Sequence, residues 1–318
     1  MIESNQPVAY VNGTFVPESD ASISIFDRAF RFADSVFDTS RTIAHRPYKL
    51  REHIERLRRS LSYARLDPGI SLDELERVTI EVVAHNVRFL TPNDDLWVRQ
   101  YVTRGAVRRV GGTGHGTPTV VVTTERLPFA GMARGYCRGV PMWVPSVRGL
   151  PIASIDPRMK TTSRMTNNLA EQEVAAIDPE ASPLLLDPDG FVSESTGSNF
   201  LAVIGGEIVT PADFEVLNGI SRATVIELAR TEGIPCRTSR LTLFDVQNAG
   251  EAFLTGTSFC IQPVRSVNGA SFVDGAPGPV TRRLTQAWSD AIGHDFVAQA
   301  LSHLEPEERA KLTSHATI

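Results

Sequence analysis

Lys160 is one of three lysines, with Lys49 and Lys311, in a chain that carries 29 arginines. It stands in DPRMKTTSRMTNNLAEQE, residues 156–173, among small polar residues ahead of a helical pattern. Arginine keeps its proton and forms no imine, whereas a lysine amine partly withdrawn from water loses its proton and attacks carbonyls. Lys160 therefore reads either as a carbonyl-reactive amine or as a plain surface charge. Glu194 lies in VSESTGSNF, where small neighbours and hydroxyl donors would let a carboxylate approach a flat ligand and stay ionised. In VLNGISRATVIELA, Gly219, Ile220 and Ser221 open a helix whose amides and positive dipole end suit a phosphate. FLTGTSF ends a strand with Gly256, Thr257 and Ser258, again amides and hydroxyls. Taken singly, each also has a structural role: a solvated acid, a helix cap, a turn.

Other chemistries lack their signatures. The chain has no GxxxxGK[ST], no HExxH and no GxGxxG opening a helix. GGTGHG, residues 111–116, lies between two strand patterns without a following helix and reads as a loop, not a phosphate cradle. The seven histidines show no ligand-like pairing, and His53 and His85 read as packed or surface residues. No metal is expected. Cys137, Cys236 and Cys260 are odd in number and widely spaced, which suggests inert buried thiols.

The elements that must position these residues are legible by pattern. VAYVNGTFVP, with Asn12-Gly13 between alternating runs, predicts a hairpin because both turn residues tolerate positive φ. REHIERLRRSLSYARL sets Ile54, Leu57, Leu61 and Leu66 at helical spacings, and SLDELERVTIEVVAHNV opens with a capping box from Ser71 to Glu74. LWVRQYVTRG and PTVVVTTERL read as strands. LPFAGMARGY has no clear periodicity and is taken as the interdomain linker, assigned to 128–135. GVPMWVPSV reads as a strand, SPLLLDPDGFVSES as strand, turn and strand, and NFLAVIGGEIVTP as a hairpin through Gly205-Gly206. A helix from ISRATVIELARTEG, one buried strand from AFLTGTSFCIQPV, and a helix from about Pro279 follow, with a peripheral tail after about His303.

The order is mixed, without strict βαβ alternation, which favours an α/β chain of α+β layers over a doubly wound sheet. At 318 residues, 42% hydrophobic and 22% charged, the chain has room for two globular domains. They are expected over 1–127, the smaller, and 136–318, the larger. A net charge of -5 argues against nucleic acid as a partner. The start MIESNQPVAY lacks a positive region followed by an apolar run, and no stretch has the length of a membrane span, so a cytoplasmic location without membrane contact is expected.

Together, HIERLRRS, KTTSRMTNNLAEQE, VSESTGSNF, LNGISR and GTSFCIQPVRSVNG, in this order and at these separations, resemble the class IV aminotransferases, the fold type IV enzymes that depend on pyridoxal 5'-phosphate (PLP). The likeness runs from about Val11 to about Trp288. It implies two α/β domains like those of D-amino-acid aminotransferases, the larger one binding the cofactor. It also implies a homodimer with the site at the domain and subunit interface. It makes Lys160 the Schiff-base lysine and proton shuttle, and Arg56 a phosphate-binding arginine, with Ile220, Ser221 and Thr257 as further phosphate contacts. Glu194 would hold a proton on the pyridine nitrogen, and Leu217 would pack on the ring face.

For the substrate, the resemblance divides. Branched-chain enzymes carry asparagine and tyrosine where this chain has Arg164 and Met165. D-amino-acid transaminases also have an apolar residue at the Met165 position, and VTRGAVRR resembles their segment bearing a carboxylate-binding arginine, here Arg109; their accompanying histidine is Gly111 here. ISIFDRAF, HIERL and SIDPRMK resemble (R)-amine transaminases, while Arg99 in LWVRQY sits where branched-chain enzymes have an arginine. Phe32, Trp97, Arg99, Arg109 and Ser258 are accordingly the substrate candidates. Arg31, like Arg99 and Arg109, reads equally as a solvated surface charge. The implied activity moves an amino group from a D-amino acid, with (R)-amines as further donors, to pyruvate or 2-oxoglutarate. An L-branched-chain aminotransferase, a lyase of the aminodeoxychorismate type and a non-catalytic binding protein are the alternatives.

Overall fold

The computed structural model describes residues 4–107 and 116–315. Among them the chain forms two compact units: Met1–Leu127 with Met159–Arg164, and Pro128–Arg158 with Met165–Ile318. No helix of the described residues is long and apolar enough to cross a membrane.

The first unit is built on a wholly antiparallel sheet. Its elements are β1 (Val8–Val11), β2 (Thr14–Pro17), α1 (Arg28–Phe32), β3 (Ser35–Ile43), β4 (Arg46–Tyr48), α2 (Leu50–Ala64), α3 (Leu72–Asn86), β5 (Leu96–Thr103) and β6 (Thr119–Arg126). The sheet order is β2-β1-β6-β5-β3-β4. Asn12 and Gly13 take φ of 47° and 93°, as the expected hairpin requires. β5 alternates buried Leu96, Val98, Gln100 and Val102 with half-buried Trp97, Arg99 and Tyr101, so the two faces differ in character. Ile54, Leu57 and Leu61 of α2 and Leu75, Val78 and Val82 of α3 cover the apolar face. The Ser71 hydroxyl accepts from the Glu74 amide, but the Glu74 carboxylate is engaged by Arg77, so only half of the capping box forms.

The second unit holds α4 (Phe129–Arg138), β7 (Val140–Trp143), α5 (Met165–Ile177), β8 (Ser182–Pro183), β9 (Asn199–Ile204), β10 (Glu207–Thr210), α6 (Ile220–Thr231), β11 (Cys236–Thr238) and α7 (Leu243–Gln247). It continues with β12 (Glu251–Gly256), β13 (Cys260–Val267), β14 (Ala270–Ser271), α8 (Pro279–Ile292), α9 (Phe296–Leu301) and α10 (Pro306–His315). The mixed sheet runs β11-β10-β9-β12-β13-β7-β8, with β14 on β13. Every residue of β12 is buried, as in a central strand covered on both faces. The mixed, non-alternating α/β layering is the one the element order predicts.

Three expectations change. The stretch taken as a linker is largely α4, whose Phe129, Met132, Ala133, Tyr136 and Cys137 form a buried face. Gly131 and Gly135 mask that pattern, and Gly135 is there for space: a Cβ would lie 1.9 Å from Gln262 Nε2. AFLTGTSFCIQPV is not one strand but the β12–β13 hairpin, in register with Gly256 opposite Cys260. The tail is not peripheral either, because α10 buries Leu312 and pairs Glu308 with Arg134 of α4.

Candidate active site

In the first unit the site grows from one face of α2. His53, Arg56 and Ser60 are buried there at helical spacings among Ile54, Leu57 and Leu61. Polar groups on an apolar face must find partners, and each does. Arg56, 3% exposed, forks onto Asp38 of β3, with Nε donating to Oδ2 at 2.8 Å and Nη2 to Oδ1 at 2.7 Å. His53 Nδ1 donates to Asp38 Oδ1 at 2.8 Å. Burial alone would raise the Asp38 carboxyl, but the Arg56 charge and the bonds from His53 and Arg56 outweigh it and hold it well below the usual carboxylate range. For His53 burial wins over the attraction of Asp38 and lowers its value, which favours the neutral ring.

One turn on, Ser60 ties this face to Lys160. Its hydroxyl donates to the Arg56 carbonyl at 3.4 Å and accepts from the Lys160 amide at 3.1 Å. The Lys160 carbonyl accepts from the Phe37 amide at 3.0 Å, the Thr162 amide donates to the Ser35 carbonyl, and Val36 bridges Thr161. Residues 160–162 thus extend the sheet along the part of β3 that β4, paired only with Arg41–Ile43, leaves uncovered. Lys160 Nζ rests 4.8 Å from the centroid of the Phe37 ring, which stacks on Tyr101. Lys160 and Arg56, 104 positions apart in sequence numbering, are brought together by β3 and α2.

The substrate candidates of this unit have mixed settings. Phe32, 57% exposed at the end of α1, has the guanidinium groups of Arg28 and Arg31 5.1 and 4.9 Å from its ring centroid. Arg31 Nη1 also donates to the Val107 carbonyl. Arg99 stacks on Trp97 at 4.8 Å and is paired with Glu125. Arg109 and Gly111 lie outside the described residues.

In the second unit Glu194 is half-buried just before β9. Its carboxylate accepts from Asn199 Nδ2 at 2.8 Å and from the Leu217 amide at 3.2 Å. Asn199 Nδ2 also donates to the Leu217 carbonyl at 2.9 Å. Leu217 leads into the N-terminus of α6, where Gly219 is the cap and Ile220 and Ser221 supply the first amides. Gly219 has ordinary extended φ and ψ of -65° and 132°, and its role is steric: a Cβ would stand 2.1 Å from Asn199 Oδ1. Thr257 and Ser258 form the β12–β13 turn, and a Cβ on Gly256 would come within 3.3 Å of Ser198 Cβ. Ser198-Asn199 therefore adjoins both hydroxyl- and amide-bearing turns. Taken unit by unit, the donors suit the parts of a phosphorylated pyridine aldehyde: in the first an amine for an aldehyde and a guanidinium for a phosphate, in the second a carboxylate for a protonated ring nitrogen and amides and hydroxyls for a phosphate.

Asp38, Ser60 and Asn199 have no role in the sequence reading, and His53 figures there only as a packed or surface residue. For Asp38, His53 and Ser60 a signal exists in HIERLRRS and VFD, where polar residues interrupt a buried helical face and a strand.

A model of the family described as "Amino-transferase class IV" matches residues 35–267. A protein of Methanocaldococcus jannaschii, provisionally named a branched-chain-amino-acid aminotransferase, is 33% identical over 290 residues, 88% of this chain and 95% of its own. D-alanine aminotransferase of Listeria monocytogenes is 31% identical, over 93% of this chain and 98% of its own. Among solved structures, the branched-chain amino acid aminotransferase of Thermobaculum terrenum in its PLP-form has a TM-score of 0.81 at 25% identity, covering 93% of this chain and 97% of its own.

Proposed function

The chain belongs to the class IV aminotransferases, which use PLP, and within that family we propose that it transfers the amino group of a D-amino acid to a 2-keto acid such as pyruvate or 2-oxoglutarate. The observation that carries the stereochemical part is the engagement of Arg99 by Glu125 and Trp97. That arginine is the one in the branched-chain-like position, and its Nη1 already pairs with Glu125, which favours a carboxylate site elsewhere, at Arg109. Met165, 69% exposed where branched-chain enzymes carry tyrosine, points the same way, as does the likeness to D-alanine aminotransferase. The branched-chain reading keeps support from the Methanocaldococcus relative and the Thermobaculum structure.

Bound, PLP supplies the electron sink for the charge released when the donor α-carbon loses its proton. Lys160 Nζ would hold the cofactor through its aldehyde carbon and, as a free amine, would move the proton taken from the donor α-carbon. Glu194 would keep a proton on the ring nitrogen, and Leu217 would pack against the ring. Arg56, Ile220, Ser221 and Thr257 take the phosphate, leaving Ser258 and Phe32 to the substrate. (R)-amines, which lack the carboxylate, are the second donor class. A homodimer is supported by the exposed apolar run Ile23, Ile25, Phe26 and Phe30.

The deciding experiment offers both enantiomers of alanine, glutamate, leucine and 1-phenylethylamine as sole donors and follows the cofactor spectrum. D-alanine and D-glutamate are expected to convert it stoichiometrically to the aminated form. Faster conversion by L-leucine would transfer the enzyme to the branched-chain class, and a spectrum left unchanged by all of these donors, none of which carries a β leaving group, would favour the lyase.

A further inference from the structure

Asn199 is 4% exposed, the first residue of β9, and its carboxamide nitrogen serves two acceptors at once, the Glu194 carboxylate and the Leu217 carbonyl. The Leu217 amide returns a bond to the same carboxylate. Two residues further on, Gly219 has no side chain, and Asn199 Oδ1 fills that space. The backbone of Asn199 is paired with Thr255, two residues before the Thr257–Phe259 turn. A single buried side chain thus fixes an acid and the entry to α6, while its own strand position fixes it beside the second turn.

We propose that Asn199 is a positioning residue that locks the ring-nitrogen acid and the phosphate-binding turn into one unit, so that the two ends of the cofactor are held in register. The inference rests on the assignment of Glu194 to the ring nitrogen. Hydrogen bonds donated to a carboxylate favour its ionised form and fix its direction; without the Asn199 donor, Glu194 keeps the Leu217 amide but loses the group that joins that amide's own carbonyl to it. The Leu217–Ser221 stretch then loses its link to β9. Glu194 and Ser221 should therefore each govern one end of the cofactor, and Asn199 both.

The test titrates apo protein with PLP and with pyridoxal, which lacks the phosphate, and records the bound cofactor's absorbance against pH. Glu194→Gln is expected to change the pH profile of the absorbance with little effect on the preference for PLP over pyridoxal; Ser221→Ala should lower that preference and leave the profile in place. Asn199→Ala should do both, shifting the profile and lowering the preference on the order of tenfold. Gly219→Ala, whose backbone any residue can adopt, should reproduce both changes by displacing the carboxamide. Should Asn199→Ala fail to fold, the similarly sized Asn199→Leu, which removes the donor without adding a charge, carries the same expectation. If Asn199→Ala lowers only the melting temperature of the apo protein, with profile and preference as in wild type, the role is merely structural and the proposal fails. If Glu194→Gln itself leaves the profile unchanged, it is the Glu194 assignment that falls.

Discussion

Asp38, His53 and Arg56 form a buried trio in which the guanidinium and the carboxylate cancel and the imidazole stays neutral. Removing one member of a buried ion pair leaves the other uncompensated, so Asp38→Ala should cost about 3–5 kcal/mol in urea unfolding of the apo protein. A cost under roughly 1 kcal/mol would mean that Arg56 finds water or another acceptor. The trio also sets a pH dependence. The folded value of His53 lies below its ordinary value of about 6.5. Its contribution is therefore complete above that pH and is lost as the pH falls toward the folded value, because the unfolded chain binds the extra proton. Asp38 is lowered too, but its loss begins only below about pH 4. Between about pH 6.5 and 4.5 the unfolding free energy should thus fall more steeply in wild type than in His53→Gln, by up to about 1.4 kcal/mol per pH unit; parallel curves would exclude His53 as the titrating group. Arg56 itself is legible from its motif. Asp38 shows in VFD only as a polar residue in a strand, and its pairing is not legible, because its partners lie 15 and 18 residues along, on another element.

The elements that can be read in advance are those whose determinants are local. α2, α3, α6 and α8 announce themselves by periodicity or caps, and the β1–β2 and β9–β10 hairpins by their turn residues. α4 and the β12–β13 hairpin do not, since Gly131 and Gly135, the latter set by the distant Gln262, break the first pattern and apolar flanks on both sides hide the turn of the second. α8 illustrates the boundary between the two cases. Pro279 marks its first turn, but what holds that turn is Glu251 of β12, 1% exposed, which accepts from the Val280 and Thr281 amides and the Thr281 hydroxyl. Gly278 leaves room for it, as a Cβ there would stand 2.3 Å from Glu251 Oε2. Glu251→Ala, which strands these donors, should lower stability by about 3 kcal/mol. Glu251→Gln, which keeps one acceptor oxygen but not the charge at the helix N-terminus, should lose about 1 kcal/mol. Equal losses in the two variants would show that the cavity, not the cap, sets the cost.

At the scale of the molecule, the chain leaves the second unit at Met159, contributes six residues to the first, and returns at Met165. Lys160 therefore belongs, by its backbone bonds, to β3 and α2, although the residues on both sides of its segment fold with the other sheet. No composition shift in DPRMKTTSRMTNNLAEQE marks these crossings, because strand addition to an edge is decided by the partner strand and not by the added residues. The consequence is a prediction about cooperativity. Amides held only by local turns exchange through small openings, whereas those in a ladder exchange with the unit that contains it. The Phe37 and Thr162 amides, bonded to the carbonyls of Lys160 and Ser35, and the Lys160 amide, bonded to Ser60 Oγ, should exchange together and with the core of β3 in native-state hydrogen exchange. Low denaturant should accelerate all three in step with the first unit, even where the amides of α5, which begins at Met165 shortly downstream of Lys160, follow the second. Exchange of the Lys160 and Thr162 amides as fast as an exposed loop would show that the segment is not anchored to β3, and the amine would then owe its position to the second unit instead.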